Sequence, residues 1–302
     1  MAQDGSVDTV NRGHTEAVNG GDSDLSACLS GRATHCVLAG NALDVLSYLP
    51  RHSVQTVITS PPYWGVRDYG VRGQIGMERF LAKYISNIVA VFNEVRRVLR
   101  RDGTVWLNIG DVYASGNRTY RASDDKCAAR ALATRPKTPK GLKPKDLIGI
   151  PWRVAFALQE AKWYLRADVI WHKTNAMPES VDDRPWRTHE YLFLLSREKS
   201  YEFSPENLFV DDLSMRRTVW SMGAGRSRFN GHHAVFPERL VIPCIKSSTT
   251  CGSIVLDPFC GTGTVGRASL RLERRFIGIE LNPEFAKAAV GLLAKGARTR
   301  TC

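Results

Sequence analysis

Short runs of aliphatic and β-branched residues alternate along the chain with longer stretches of helical periodicity. The clearest helical stretch runs from 81 to 99, where apolar residues recur every three or four positions. Strands alternating with helices predict an α/β fold built on a doubly wound, mainly parallel sheet. The strand-like runs lie at 36–40, 54–58, 104–109, 164–171, 190–195, 254–256 and 275–279.

Three segments interrupt this alternation. Residues 1–33 are rich in Gly, Ser, Asn and Asp, which predicts a flexible N-terminal tail ahead of one domain over 34–302. Residues 112–146 carry many Lys and Arg among prolines and small residues, which predicts an inserted basic loop. Residues 200–232 are also basic and lack a clear period.

Composition narrows the class of protein. The 302 residues are 43% hydrophobic, which is enough for a full core. The seven cysteines are scattered without CxxC spacing, and no secretory signal or membrane-length apolar run is present. We therefore expect an intracellular, cytoplasmic protein with reduced thiols, no membrane association and no metal site. The net charge of +12 predicts a polyanionic partner, typically nucleic acid.

A glycine-rich loop follows the strand at 254–256. The sequence GTGTVG at 261–266 lies between a predicted strand and a predicted helix, and Glu280 ends the next strand. Such a loop suits the close approach of an adenosine ligand, and the acid suits its ribose hydroxyls. The pattern alone fits NAD(P), FAD or S-adenosylmethionine. Asp257 directly before the loop would repel a pyrophosphate and would suit the ammonium group of a methionine moiety.

A second distinctive stretch is TSPPYW at 59–64, which ends the strand at 54–58. Neither proline can donate to a strand ladder, so the aromatic pair lies at the end of the strand. In an open α/β sheet, ligands bind at this carboxyl edge. A hydroxyl, carbonyl acceptors and aromatic faces suit a planar heterocycle with an exocyclic NH2 group. On its own, the stretch also fits a proline-rich turn with buried aromatic residues.

These two stretches carry a resemblance to a known family. The cofactor loop DPFCGTGT at 257–264 and the motif TSPPYW resemble those of amino-group DNA methyltransferases. The motif order, with the catalytic motif first, resembles the permuted β group, and Ser before Pro-Pro resembles its cytosine-N4 enzymes. Where the family commonly has Gly-Asp-Ala, this chain has Asn41 after Gly40.

The resemblance implies a Rossmann-like, S-adenosylmethionine-dependent methyltransferase fold that acts on a flipped-out base. It implies Ser60 and Pro61 as acceptors for the target amine and Tyr63 as the stacking residue. The catalytic set is then Ser60, Pro61, Pro62 and Tyr63. The cofactor-binding set is Asn41, Phe236, Pro237, Asp257, Phe259, Gly261, Gly263, Thr264 and Glu280.

Double-stranded DNA is the implied partner, and residues 200–232 are the expected target-recognition region. The resembling group often forms dimers, so a homodimer is allowed, although no interface can be identified from the sequence. Phosphate contacts position such an enzyme, and base-edge contacts specify its sequence. The DNA-binding set is Trp64, Arg118, Arg121, Arg130, Arg135, Lys137, Lys140, Arg216, Arg217, Arg226 and Arg228.

Three alternatives stay open. Adenine-N6 methylation uses the same geometry, because both target bases present an exocyclic amine. An NAD(P)-dependent oxidoreductase is compatible with the glycine loop but leaves the TSPPYW stretch without a role. A DNA-binding module with a cofactor pocket that has lost its activity would also fit the charge.

Overall fold

A computed structural model of the chain describes residues 22–115, 136–211, 213–225 and 236–298. Its centre is a sheet of eight strands, and a separate pair of short strands, β6 and β7, forms a second sheet. The strands in chain order are β1 His35–Ala39, β2 Val54–Thr59, β3 Leu99–Ile109, β4 Tyr164–His172, β5 His189–Ser196, β6 Phe209–Val210, β7 Leu213–Ser214, β8 Val219–Ser221, β9 Ile254–Asp257 and β10 Arg275–Glu280.

The order across the main sheet is β1-β10-β9-β2-β3-β5-β4-β8. The first five of these strands run parallel to one another. β5 is antiparallel to both β3 and β4, and β8 is parallel to β4. Among the eight strands described here β5 alone is reversed, so the prediction of a mainly parallel sheet is confirmed.

Helices cover both faces of the sheet. One face packs on α1 to α4, around buried residues such as Phe92 of α3 and Val154 of α4. The other packs on α5 to α7, around residues such as Val265 and Ala289. This sandwich is the doubly wound α/β architecture expected from the sequence. The helices are α1 Asp22–Ser30, α2 Ala42–Tyr48, α3 Leu81–Val98, α4 Ile150–Glu160, α5 Glu238–Ser248, α6 Thr264–Arg271 and α7 Pro283–Arg298.

The N-terminal segment differs from its prediction. Residues 22–30 form α1, so the expectation of a flexible tail over 1–33 is wrong there, while 1–21 lie outside the described residues. Cys28 of α1 is fully buried, and Leu25 packs against the core. The Arg275 guanidinium also donates to the carbonyls of Cys28 and Leu29 at 2.8 and 2.9 Å. A short apolar stripe and one arginine therefore fix this segment to the sheet.

The two basic segments are more ordered than expected where the structure describes them. Tyr113 forms an antiparallel bridge with Leu147, which joins the two ends of the predicted insertion 112–146. Residues 116–135 of that insertion lie outside the described residues. Within 200–225, β8 extends the main sheet beside β4, and its Trp220 is buried against Trp106. No helix in the described ranges is long and apolar enough to cross a membrane.

Candidate active site

A large cavity lies at the edge of the sheet where the parallel strands end. Its volume is about 390 Å³, and its walls come from the ends of β1, β2, β3, β9 and β10. Because β5 is reversed, its first residues lie at the same edge. Ligands of open α/β sheets bind at this edge. The glycine loop and the TSPPYW stretch, about 200 positions apart in the chain, therefore share one cavity.

Asp257 is the most deeply buried acid of this cavity. Its carboxylate accepts a hydrogen bond from the Thr59 hydroxyl at 2.7 Å and from the Phe259 amide at 3.1 Å. Burial raises the pKa of Asp257 to about 7, with the Thr59 and Phe259 hydrogen bonds opposing the rise and the Glu280 charge adding to it. An acid in such a position gains most from a cationic ligand, because a cation would compensate its lost hydration.

Glu280 lies across the glycine loop from Asp257. One carboxylate oxygen accepts the Gly261 amide at 2.8 Å, and the other accepts the Asn282 amide at 2.9 Å. Burial raises the pKa of Glu280, and these backbone hydrogen bonds oppose that rise. Each oxygen keeps lone-pair capacity for a further donor, as a vicinal pair of ribose hydroxyls would require. These two acceptors therefore fit the adenosine and methionine parts of S-adenosylmethionine.

Asn41 contributes to this wall through a local structural role. It is the N-cap of α2, and its side-chain oxygen accepts the Leu43 amide at 2.9 Å. Such a cap satisfies one of the free amides at the start of a helix. Asn41 also lines the cavity.

The TSPPYW turn forms the opposite wall, where four polar side chains meet. The Tyr63 hydroxyl donates to the Glu190 carboxylate at 2.7 Å and accepts from the Ser60 hydroxyl at 3.3 Å. The Asn108 amide nitrogen donates to Tyr63 at 3.0 Å and to Glu190 at 2.8 Å. Lys173 forms an ion pair with the other oxygen of Glu190. The turn is thus held by a connected network that reaches three neighbouring strands.

The charges in this network are well defined. Burial alone would raise the pKa of Glu190, but the Lys173 ammonium and the hydrogen bonds from Asn108 and Tyr63 hold it below the usual value. Burial raises the pKa of Tyr63 well above its usual value, and the Glu190 charge adds to the rise. At neutral pH the network therefore contains an anionic Glu190 and a neutral Tyr63.

Gly110 makes room for this arrangement. A β-carbon at this position would lie 2.8 Å from Cε2 of Tyr63 and 3.4 Å from the Glu190 side chain. The first distance is shorter than a normal carbon–carbon contact, so any larger residue would displace the tyrosine ring. The close approach of the Tyr63 ring therefore explains why a glycine follows β3 at position 110.

Known proteins match this chain over most of its length. A family described as DNA methylase matches residues 54–291. The chain belongs to this DNA methylase family. The type II methyltransferase M.Cfr9I of Citrobacter freundii is 54% identical over 258 residues, covering 84% of this chain and 86% of the relative. M.SmaI of Serratia marcescens is 49% identical over 269 residues, with coverage of 87% and 92%.

Solved structures agree on the fold. The PvuII DNA methyltransferase (cytosine-N4-specific) superposes with a TM-score of 0.65 at 18% identity, covering 88% of this chain and 92% of that structure. A Thermus thermophilus protein in complex with S-adenosyl-L-methionine superposes with a TM-score of 0.62 at 22% identity, with coverage of 88% and 96%. The protein is therefore a DNA methyltransferase of the N6/N4 family, which sets aside the oxidoreductase alternative.

The methyltransferase brings most of the predicted cofactor residues to one cavity. Asn41, Phe236, Asp257, Phe259, Gly261, Thr264 and Glu280 all line it. Gly263 and Pro237 lie behind that wall. Gly263 has φ +81° before α6, and a β-carbon there would meet Ala289 of α7 at 3.4 Å, so it serves helix packing. Pro237 precedes α5 as its N-cap residue. Direct contact with the cofactor remains a prediction for all nine.

Trp64 was predicted to be a DNA-binding residue, and that prediction is wrong. The side chain is 2% exposed, and its indole nitrogen donates to the Glu78 carbonyl at 2.8 Å. It packs in the core beneath α3, so it offers no surface to DNA. The turn separates its two aromatic residues, with Tyr63 facing the cavity and Trp64 facing the core.

The predicted DNA-binding cations fall into two groups. Lys137, Lys140, Arg216 and Arg217 are exposed. The others lie outside the described residues: Arg118, Arg121, Arg130, Arg135, Arg226 and Arg228. Pro136, next to Lys137, would contact a β-carbon at Gly65, so this end of the basic insertion lies beside the catalytic turn. Contact with DNA remains a prediction for every cation of the set.

The sequence pattern did not identify Glu190 as a site residue. It lies at the start of a predicted strand, and only the reversed direction of β5 brings it to the cavity. Among the residues that the structure describes, no group of three or more His, Cys, Asp or Glu side chains could hold a metal ion.

Proposed function

We propose that the enzyme transfers a methyl group from S-adenosylmethionine to the exocyclic N4 amine of a cytosine flipped out of double-stranded DNA. One observation supports this most directly. The Ser60 turn and the Asp257–Glu280 wall line the same cavity, so an amine at Ser60 would lie beside a ligand held by those two acids. Amino-group methylation requires this juxtaposition of two substrates.

The residues of the cofactor wall then have separate roles. The sulfonium methyl of the cofactor supplies an electrophilic carbon when it is bound. Ionised Asp257 would pair with the ammonium group of the methionine part. Glu280 would accept the ribose hydroxyls, and the partly buried Phe259 would pack against the adenosine. Asn41 would face the adenine amino group with the oxygen that also caps α2.

On the other wall, Tyr63 would stack on the extruded base, a contact worth roughly 1–3 kcal/mol. Ser60 and the Pro61 carbonyl would accept hydrogen bonds from the target NH2 group. These bonds would draw the nitrogen lone pair out of conjugation with the ring and direct it toward the methyl carbon. The N–C bond would form as the C–S bond breaks and releases S-adenosylhomocysteine, and the surplus proton of the amine would leave to solvent. No covalent enzyme intermediate is needed, because positioning and electrostatics supply the catalysis.

Cytosine is favoured as the target because a serine precedes Pro-Pro in the catalytic turn. Adenine N6 remains the alternative, since the same acceptors would serve its amine. The relatives M.Cfr9I and M.SmaI are type II methyltransferases, so we also propose that this enzyme protects DNA within a restriction–modification system.

The exposed lysines beside the turn suit phosphate contact. We expect Lys137→Gln/Lys140→Gln to flatten the salt dependence of DNA binding, by about 0.9 in log–log slope for each lost contact. Lys162 and Lys199 are equally exposed but lie at the opposite edge of the sheet, before β4 and after β5. Lys162→Gln/Lys199→Gln is therefore the matched control. Equal slopes for the two double variants would exclude this surface.

Methyl transfer with an isotopically labelled donor, followed by digestion of the DNA to nucleosides, tests the proposal. We expect N4-methylcytosine from the native enzyme and none from Ser60→Ala, with the melting temperature unchanged. N6-methyladenine as the sole product would refute the choice of base. A label that never reaches DNA would leave the third alternative, a DNA-binding module without activity.

A further inference from the structure

Polar side chains form a row across the sheet at the mouth of the catalytic turn. Leu107 of β3 pairs with Thr59 of β2, so the next residues, Asn108 and Ser60, are neighbours on one face. Asn108 also pairs with Leu192 of β5, which places Glu190 on that face two residues nearer the cavity. Glu190 pairs in turn with Trp171 of β4, and Lys173 follows two residues on. The row is therefore fixed by strand register.

Glu190 determines the direction of the hydrogen bonds along this row. An ionised carboxylate can only accept, and Glu190 is anionic beside the Lys173 ammonium. The Tyr63 hydroxyl has a single hydrogen, and its 2.7 Å bond to Glu190 uses it. Tyr63 keeps that hydrogen, because burial raises its pKa well above the usual value.

The Tyr63 oxygen can then only accept from its other neighbours. Asn108 donates to it at 3.0 Å and Ser60 donates to it at 3.3 Å, which fills both lone pairs. The Ser60 hydrogen is thereby directed toward Tyr63. The Ser60 oxygen receives only a long contact of 3.5 Å from the Asn108 amide nitrogen, so it keeps capacity for a further donor. A serine that must accept from an amine needs this polarity, because a hydroxyl free to rotate could equally present its hydrogen.

The same acid orients Asn108. Its amide nitrogen faces Glu190 at 2.8 Å, so its carbonyl oxygen faces away from the acid. That oxygen is buried and has no hydrogen-bond partner within the described part of the chain. A buried acceptor without a donor costs about 1–3 kcal/mol. The Asn108 side chain lines the cavity, but this oxygen is covered, so Asn108 serves the site through its amide nitrogen.

We propose that Glu190 is a positioning residue that acts through Tyr63 and Asn108, setting their hydrogen bonds so that Ser60 presents an acceptor to the target amine. The inference rests on the proposed methylation of an exocyclic amine, and it holds for either base. Lys173 supports it by pairing with the oxygen of Glu190 that faces away from Tyr63.

Glu190→Gln is the decisive variant, because its amide can donate to Tyr63 and so lets the tyrosine and serine hydrogens reverse. We expect the single-turnover rate of methyl transfer to fall on the order of 10- to 100-fold, as positional errors in active sites do. The affinities for S-adenosylhomocysteine and DNA should stay within about threefold, since none of the proposed contacts to either ligand is made by Glu190 itself. A purely structural role would instead change binding and melting together.

Tyr63→Phe tests the same chain of bonds without changing the acid. Its ring still stacks, but Ser60 has no acceptor for its hydrogen, so we expect a comparable fall in rate. In the double variant the single-turnover rate should fall no further than in the slower single variant, because both changes disrupt the same chain of hydrogen bonds from Glu190 through Tyr63 to Ser60. Glu94→Gln serves as control, since Glu94 is also paired with a cation, Arg97, but lies on α3 away from the cavity.

The outcomes separate cleanly. A native single-turnover rate in Glu190→Gln, or a fully additive double variant, overturns the inference. If Glu190→Gln does not fold, Tyr63→Phe decides alone, and an unchanged rate there overturns it. The proposed function is tested by the native enzyme in the same assay. Absence of any methylated base in native samples would refute that function, whereas an active native enzyme with insensitive variants would refute only the role of Glu190.

Discussion

Asp257 offers a direct test of the trade between stability and ligand binding at this site. The side chain is 2% exposed, and burial raises its pKa to about 7. In the unfolded chain the same carboxyl ionises near its ordinary pKa of 3.8. The unfolded state therefore releases its proton first as the pH rises, and the stability of the ligand-free protein falls between about pH 4 and pH 7.

The magnitude follows from the two pKa values. A difference of about three pH units corresponds to about 4 kcal/mol of lost stability once both states are ionised. Asp257→Asn removes this ionisation and keeps an oxygen for the Thr59 hydroxyl and the Phe259 amide. We expect the ligand-free variant to melt roughly 8 °C above the native protein at pH 8, and by a smaller margin at pH 5.

The same change should weaken cofactor binding. Loss of a charged hydrogen bond to the ligand ammonium costs about 1.5–3 kcal/mol, or roughly 10- to 100-fold in affinity for S-adenosylhomocysteine. Differential scanning fluorimetry from pH 5 to pH 8, with and without the ligand, measures both effects. Asp182→Asn makes the same chemical change on an exposed loop and should leave both quantities unchanged. Equal melting curves for native protein and Asp257→Asn at pH 8 would refute this account of the buried acid.

Three further changes test other contacts. Gly110→Ala should displace the Tyr63 ring and reduce the single-turnover rate with little change in melting temperature. Gly291→Ala, which has open space around its α-carbon, should leave the rate unchanged. Equal rates for these two variants would show that the ring tolerates the methyl group. Trp64→Ala should lower the free energy of unfolding by about 3–5 kcal/mol in chemical denaturation, because a large core side chain is removed. Trp64→Phe should fold and bind DNA with native affinity. Weakened DNA binding by that folded variant would restore the DNA-binding role of Trp64. Asn41→Ala should lower the free energy of unfolding by about 1 kcal/mol, because it removes the cap of α2, whereas Asn41→Asp should retain that cap. Similar melting temperatures of the alanine variant and the native protein would contradict the capping role.

Sequence patterns were sufficient for the parts of the fold that depend on local chemistry. The period of apolar residues located α3, and β-branched runs located β2 and β9. Glycines with positive φ at Gly261 and Gly263 mark the turn into α6, as the glycine loop predicted. Because each of these signals resides within a single element of at most 18 consecutive residues, it could be identified without knowledge of the rest of the chain.

Other features depend on partners distant in sequence, so the pattern could not identify them. Helix α1 contains few large apolar residues. It is held in place by burial of Cys28 and by a hydrogen bond from Arg275, which lies about 250 positions away in the chain. The adjacent aromatic residues Tyr63 and Trp64 gave no sign that they face opposite sides. The Glu78 carbonyl that receives the indole hydrogen bond decides this, and it lies beyond the intervening loop.

The direction of β5 has the largest chemical consequence of these non-local features. The first residues of an antiparallel strand lie where its parallel neighbours end, so β5 brings Glu190 beside Asn108 at the end of β3. A parallel strand of the same eight residues would place Glu190 about 20 Å away, at the far edge of the sheet. The chain would then have no carboxylate to accept the Tyr63 hydroxyl, and the lone pairs of Ser60 would not be assigned to the cavity. A single strand reversal thus supplies the acid of a site whose other groups come from parallel strands.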